Sequence, residues 1–213
     1  MKIVIFITED YDFMYDLLKR LVLKLKDAHT IEAIVYFPDK LAKYKGLEIY
    51  LWYLKTFGLL VFMKLALRSL SKRFSILMDY IFRKCPFYSF KGLHRYYAVK
   101  NIRFSNPNDH SVVKWVKDNG IDVILLFAPH ILKGEIIKAP KVSILNKHAA
   151  LLPANKGLFP VFWEMMNNDR IGVTIHKVNE EIDGGEIILQ KAYDKRPGWS
   201  VYDYYRSIFF DTS

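Results

Sequence analysis

Cysteine is nearly absent from this chain: Cys85 is the single one in 213 residues. No disulfide can close within it, so stability must come from packing, and a reducing compartment is the natural setting. A secretory leader is lacking too. The N-terminal MKIVIFITEDYDF turns from apolar to acidic at once, with no long hydrophobic region and no small-residue cleavage site, so none is expected. Long uncharged runs are missing. In the apolar stretch 47–73 the longest is Thr56–Met63, far short of the roughly 20 residues that cross a bilayer, and a transmembrane helix is not expected there. Internal repeats are absent and low-complexity tracts few, which with 52% hydrophobic and 25% charged residues excludes a disordered chain.

What the chain does have is apolar material for one domain, with room for a small appendage, and an excess of base. The net charge is +10. Residues 1–100 carry 18 Lys and Arg against 9 Asp and Glu, and the remainder carries 14 against 13. Most of the excess lies between Lys40 and Lys100, interleaved with aromatics such as Tyr50, Trp52, Tyr53, Phe57, Phe62 and Phe74. Such a surface attracts polyanions or an acidic membrane face. A solvated basic face over an ordinary core reads the same way.

Lys2–Thr8 (KIVIFIT) is β-branched and nearly continuous, the pattern of a strand buried on both faces of a parallel sheet. Asp12 or a neighbour caps a helix through about Lys26, with Leu17, Leu18, Leu21, Val22 and Leu25 at helical spacing. Thr30–Phe37 is a second strand, closed by Pro38. Strand, helix, strand opens a doubly wound α/β sheet. Residues 47–73 read as a helix with three competing placements: on a membrane surface, in a homodimer, or covered by its own domain; the last is the commonest for such a run, while the aromatics and flanking bases favour the surface readings slightly. Lys84–Gly92 reads as a loop, Val99–Arg103 as a short strand, and Asp109–Lys117 as a helix ended by Asn119-Gly120. Ile121–Phe127 and Val142–Leu145 are further buried strands. Leu158–Asn167 is helical, with Pro160 in its first turn. Gly172–Val178 and Glu186–Gln190 are strands joined through Asp183-Gly184-Gly185, and Ser200–Phe210 is a final helix.

Ligands bind at strand ends in open α/β sheets. The strand at Val142–Leu145 ends in Asn146-Lys147-His148. On an extended segment, residues i and i+2 face the same side, so an amide donor and an imidazole converge. Asp183 sits in a loop whose two following glycines permit a sharp turn and a close approach to a ligand. The trio suits acyl transfer to an amine. Asn146 and a protonated His148 stabilise the oxyanion, while His148 and Asp183 move the protons. The carboxylate is expected to raise the imidazole pKa. No Ser or Cys nucleophile and no metal is called for. Each short motif alone is weak: an Asn-x-His is usually structural and an Asp-Gly-Gly usually a turn.

Their joint order is more specific. The segments IDVILLFAPHILKGEIIKAP, ILNKHAALLPANKG and IGVTIHKVNEEIDGGEIILQ resemble the catalytic domain of the folate-dependent formyltransferases, strongly over residues 121–192 and weakly over 9–100. The resemblance implies a Rossmann-like open, mostly parallel sheet flanked by helices, with a C-terminal β-hairpin carrying the catalytic aspartate loop. It implies one catalytic domain over 1–213 with a divergent insertion at about 40–100. It also implies 10-formyltetrahydrofolate as co-substrate, with Asn146, His148 and Asp183 catalytic. Backbone around Ala128, His130, Ile131 and Leu132 would hold the pteridine, and Glu180, Glu181 and Ile182 would close over it. Thr174 and His176 lie on the strand leading to that loop, lining the cleft or serving structure.

The sequence also departs from the family. Where the purine-pathway member carries a glycine-rich phosphate loop, this chain reads Thr8-Glu9-Asp10-Tyr11-Asp12, and acids there repel phosphate. The tRNA enzyme's C-terminal domain is not expected after Asp183, nor is the regulatory domain of the folate hydrolase; a minimal or truncated member fits. The expected acceptor is therefore a small-molecule amine on a nucleotide- or lipid-linked amino sugar, with no nucleic acid. The expected location is cytoplasmic, peripheral to a membrane if residues 47–73 contact one. The alternatives are 10-formyltetrahydrofolate hydrolysis and a non-catalytic binding module.

Overall fold

The computed structural model describes residues 1–41 and 43–211; the last two positions of the expected 1–213 domain lie outside the described residues. One seven-stranded sheet organises the chain, in the order β5-β2-β1-β6-β7-β8-β9. Its strands are β1 (Lys2–Thr8), β2 (Thr30–Phe37), β5 (Lys100–Arg103), β6 (Val123–Phe127), β7 (Ser143–His148), β8 (Ile171–Lys177) and β9 (Ile187–Tyr193). A two-stranded ladder, β3 (Lys40–Leu41) with β4 (Tyr44–Lys45), stands apart. The strands from β5 to β7 are parallel, and β8 and β9 add on antiparallel. The expected mostly parallel sheet with a C-terminal hairpin holds. The chain leaves β1 to one side for β2 and later returns on the other side as β6, so the two directions diverge at β1 and β6. Such a point opens a crevice beyond the strand ends.

Alternation along the central strands explains why two helical layers form. Val4 and Phe6 point into one core with Ala33, Val35 and Phe37, covered by α4 (His110–Asp118) and a short 3-10 helix (Gly134–Lys138). Ile5 and Ile7 point into the opposite core with Ile34 and Tyr36, covered by α1 (Met14–Leu25) and α3 (Phe90–Tyr97). Strands buried on both faces must be apolar throughout, which is why KIVIFIT lacks polar alternation. Polar atoms in the second core are matched. Tyr15 Oη–H donates to Phe87 O at 3.0 Å, and Tyr36 Oη lies 2.8 Å from His94 Nε2. A third, smaller core joins α5 (Pro160–Met166) and α6 (Val201–Asp211) to β8.

Several sequence expectations need correction. Lys84–Gly92 is not all loop: α3 begins at Phe90, because Ser89 Oγ accepts the Gly92 N–H at 3.1 Å and caps it. Asp12 does not cap α1; Phe13 stands at the N-cap without a side-chain bond, and the Asp12 N–H instead donates to Asp10 Oδ1 at 2.7 Å.

The largest correction concerns residues 47–73. They belong to α2 (Leu47–Ile81), 35 residues long and broken at Gly58, whose φ of 77° and ψ of 168° suit glycine alone. By length and composition this helix could cross a membrane, because its charges are spaced widely enough to leave an 18-residue stretch with at most two, and none of that stretch is buried. The chain's own domain therefore does not cover it. Ile76 is its one buried residue.

Core and surface thus differ sharply in what truncation should cost. Ile124→Ala, in the centre of the sheet, is expected to lower the unfolding free energy by about 2–5 kcal/mol. Leu70→Ala, on the open face of α2, should change it by no more than about 0.5 kcal/mol. Urea titration of the two variants measures both.

Candidate active site

Parallel strand β7 delivers the site. It pairs with β6 through Leu126↔Asn146 and with β8 through Asn146↔His176 and His148↔Thr174. The strand was expected to end at Leu145, but the antiparallel ladder to β8 keeps it extended through His148. Asn146 and His148 therefore share one face. Across the ladder, His176 comes opposite Asn146.

These side chains converge on Asp183, in the β8–β9 loop. Its Oδ2 accepts the Gly157 N–H at 2.9 Å and lies 3.4 Å from His148 Nδ1. Its Oδ1 lies 3.5 Å from both His176 Nε2 and Asn146 Nδ2. Asn146 Nδ2 also reaches His176 Nε2 at 3.1 Å. The far nitrogens of both rings are committed to backbone: His148 Nε2 lies 2.9 Å from Asn155 O, and His176 Nδ1 lies 2.9 Å from Lys177 O. Carbonyls accept only, so those nitrogens carry the protons. The remaining ring nitrogen of His176, Nε2, faces both Asn146 Nδ2 and Asp183 Oδ1. His176 thus belongs to the cluster rather than only to the strand. The signal available in the sequence was its position, two residues beyond Thr174 on the same face.

Burial decides the charge states. It works against ionisation of Asp183, but its hydrogen bonds, with His176 first and the Gly157 N–H beside it, outweigh burial and hold the carboxyl below the usual carboxylate range. For His148 the balance reverses. Burial lowers its pKa and outweighs the raising pull of Asp183 and Asn155. The expected elevation is therefore corrected: the ring is neutral at pH 7. A separation of 3.4 Å is long for a shared proton, which agrees.

Protein atoms also crowd the two glycines after Asp183. A Cβ on Gly185 would stand 1.8 Å from Lys177 O, and one on Gly184 would stand 2.3 Å from the Glu181 side chain. The turn itself is made by Asp183, whose φ is 48°, a left-handed conformation aspartate tolerates.

The residues expected around a flat heterocycle lie on two adjoining loops. Ala128 and Leu132 are buried, while Ile131 and Ile182 are half-exposed. The Gly134 N–H donates to Glu180 Oε1 at 3.3 Å and ties the loops together; Glu181 instead pairs with Lys156 at 2.7 Å. His130 Nδ1 is buried with no hydrogen-bond partner among the described residues, and burial, with Lys40 and Lys45 nearby, pushes this ring down to about 4. Asn108 clamps the first loop: its Nδ2 donates to Ile131 O at 2.9 Å and its Oδ1 accepts from Lys133 N at 2.8 Å. Thr174 is structural. Its Oγ1 donates to Ala150 O at 2.6 Å and accepts the Leu152 N–H at 3.0 Å, so it shapes the turn after β7. At the end of β1, Glu9 pairs with Arg103 at 2.7 Å and burial raises Asp10 to about 6, an acidic rim where a phosphate would be disfavoured.

The comparisons fit this geometry. The chain belongs to the formyl transferase family, whose model matches residues 88–210. A methionyl-tRNA formyltransferase of Fusobacterium nucleatum is 29% identical over 108 residues, 48% of this chain and 35% of that protein. The chain thus spans about a third of the length of such curated relatives. The glycinamide ribonucleotide transformylase 1 structure from Symbiobacterium toebii superposes with a TM-score of 0.62 at 18% identity, over 99% of this chain and 81% of that one. A sugar N-formyltransferase from a Shewanella species gives 0.56 at 17%, over 98% and 63%. At such identities the two structures establish the shared fold.

Two measurements check the electrostatics. The His148 ring should titrate by NMR below the ordinary histidine value near 6.5, and Asp183→Asn, which removes the raising charge, should lower it further. A rise in that variant would refute the balance given above. Glu164, fully buried on α5, is pushed up to about 7. The folded chain then holds a proton that the unfolded chain has already lost, so stability should fall as pH rises from about 4.5 to about 7. Glu164→Gln should flatten that part of the curve in calorimetry.

Proposed function

We propose that this chain transfers a formyl group from 10-formyltetrahydrofolate to a primary amine, on an amino sugar carried by a nucleotide or a lipid. The observation carrying the reading is the convergence of Asn146, His148 and His176 on an ionised Asp183 beyond the end of a parallel strand. In the reaction, the amine nitrogen attacks the formyl carbon, an N–C bond forms, and the carbonyl oxygen becomes an oxyanion. The bond to the folate nitrogen then breaks, that nitrogen takes a proton, and the attacking nitrogen has lost one.

Asn146 supplies the oxyanion donor: one N–H serves His176, and the other makes only the long approach to Asp183. A neutral His148 has no spare N–H, so the oxyanion role expected of its protonated form falls to Asn146. His148 Nδ1 and Asp183 Oδ2 face each other with no proton between them, a pair one proton short and ready to take the amine's. Ala128, His130, Ile131 and Leu132, opposite Glu180, Glu181 and Ile182, line the cleft proposed for the pteridine. No step requires a metal.

Support for a sugar-borne amine comes from the basic, aromatic insertion. Trp52 stacks parallel to Phe159 at 5.9 Å, two residues past the Gly157 that holds Asp183. The insertion therefore borders the site, where aromatic faces and bases suit a sugar and its phosphates. The acidic rim at Glu9 and Asp10 disfavours a phosphate bound after β1.

Asn146→Ala, His148→Ala and Asp183→Ala are each expected to lower formyl transfer at least about a hundredfold while leaving the fold intact. Incubation with 10-formyltetrahydrofolate and a panel of amino sugars, followed by mass spectrometry, tests the activity. Near-wild-type rates in the variants would refute the mechanism. Formate release without an acceptor would move the reading to hydrolysis, and absence of folate binding to a binding module.

A further inference from the structure

The second half of α2 carries a surface that neither the site nor the core explains. After the break at Gly58, residues Leu60, Met63, Leu67, Leu70, Phe74 and Leu77 recur at alternating steps of three and four, which stacks them along one helical face. All are exposed: Leu60 at 77%, Leu67 at 62%, Leu70 at 64% and Phe74 at 62%. The opposite face holds the domain. Lys72 pairs with Asp16 of α1, Arg68 pairs with Asp203 of α6 at 3.3 Å and lies over the Tyr202 ring at 3.4 Å, and Ile76 is buried.

Charge decides among the possible occupants. Between Glu48 and Asp79 there is no acidic residue, whereas Lys55, Lys64, Arg68, Lys72 and Arg73 fall within that span and Arg83 and Lys84 follow it. A second copy packed along the stripe would bring like charges together, with the acids of α2, Glu48 and Asp79, only near its two ends. A span centred on the stripe would break the two ion pairs on the domain face and bury Lys64, Arg68, Lys72 and Arg73. An apolar stripe bordered by bases, lying flat against its own domain, suits the plane of an anionic lipid surface. There the leucines enter the acyl boundary while Lys55 and Lys64, both exposed and without an ion pair among the described residues, reach the headgroups.

We propose that α2 docks this protein in parallel orientation onto membranes bearing anionic lipids. Since the half of α2 before Gly58 borders the candidate site through Trp52 and Phe159, docking holds that site beside the lipid surface. Taken with the proposed activity, this favours a lipid-borne acceptor; vesicle binding and formyl transfer are separate readouts, so either can fail alone.

The test is sedimentation of the full chain with vesicles of phosphatidylcholine alone or mixed with phosphatidylglycerol. The mixed vesicles should bind at least about tenfold more protein, with the difference lost in high salt. Combined Leu67→Glu, Leu70→Glu and Phe74→Glu should abolish binding. Lys55→Glu with Lys64→Glu, which touches only exposed lysines, should reduce it about tenfold with an unchanged thermal melt. Equal binding to both vesicle types, or none, would overturn the proposal. So would a stable dimer in solution that the leucine variants dissociate, or protein that resists alkaline extraction as an integral span does.

Discussion

Everything around the candidate site depends on keeping one carboxylate ionised where water hardly reaches. Asp183 has a side chain only 12% exposed. A buried carboxylate without partners would take up a proton. Here a backbone N–H at 2.9 Å and three side chains near 3.5 Å surround it, and the charge survives. The partners come from three pieces of chain: β7, which supplies Asn146 and His148, β8 and the turn at Gly157. The backbone of that turn and of Lys177 also fixes which ring nitrogen of each histidine carries its proton. The loop glycines, Thr174 and Glu164 serve to seat these pieces.

That dependence explains why the sheet changes direction where it does. Five parallel strands end at β7, and a further parallel neighbour would carry the chain onward in the same direction rather than back along β7. The antiparallel β8 instead lays His176 against Asn146 and returns the chain through Asp183 over the same strand end. The hairpin is thus the element that turns a strand terminus into a cluster of proton-holding groups.

The α2 helix follows a different logic. The domain holds it by two ion pairs, ring contacts such as Trp52 on Phe159, and one buried isoleucine, while the leucines of its stripe stay in water. The hydrophobic effect strongly disfavours such a face left bare, so its cover must lie outside the folded domain. The break at Gly58 divides the tasks: the first half borders the site, and the second presents the stripe.

Much of this was legible from the chain. Continuous apolar runs fixed β1, β2 and β6, because strands buried on both faces admit no polar residue. The spacing of Asn146, His148 and Asp183, with the resemblance built on it, anticipated that they meet. The pteridine loops and the amine acceptor stayed at the level of resemblance, since their roles rest on ligand contacts. Other features were hidden because they depend on long-range partners. The helix at Phe90 needed the Ser89 cap in place, and His176 gained its neighbours only through register with β7. The glycines at 184 and 185 answer to protein atoms, which no local pattern reveals. The sequence by itself determined the α/β class, the candidate trio of Asn146, His148 and Asp183, and the basic helix, since composition, period and short motifs act locally. The tertiary structure alone decided that His148 is neutral, that His176 joins the cluster and that α2 is uncovered. Burial and charge balance arise only when distant segments pack.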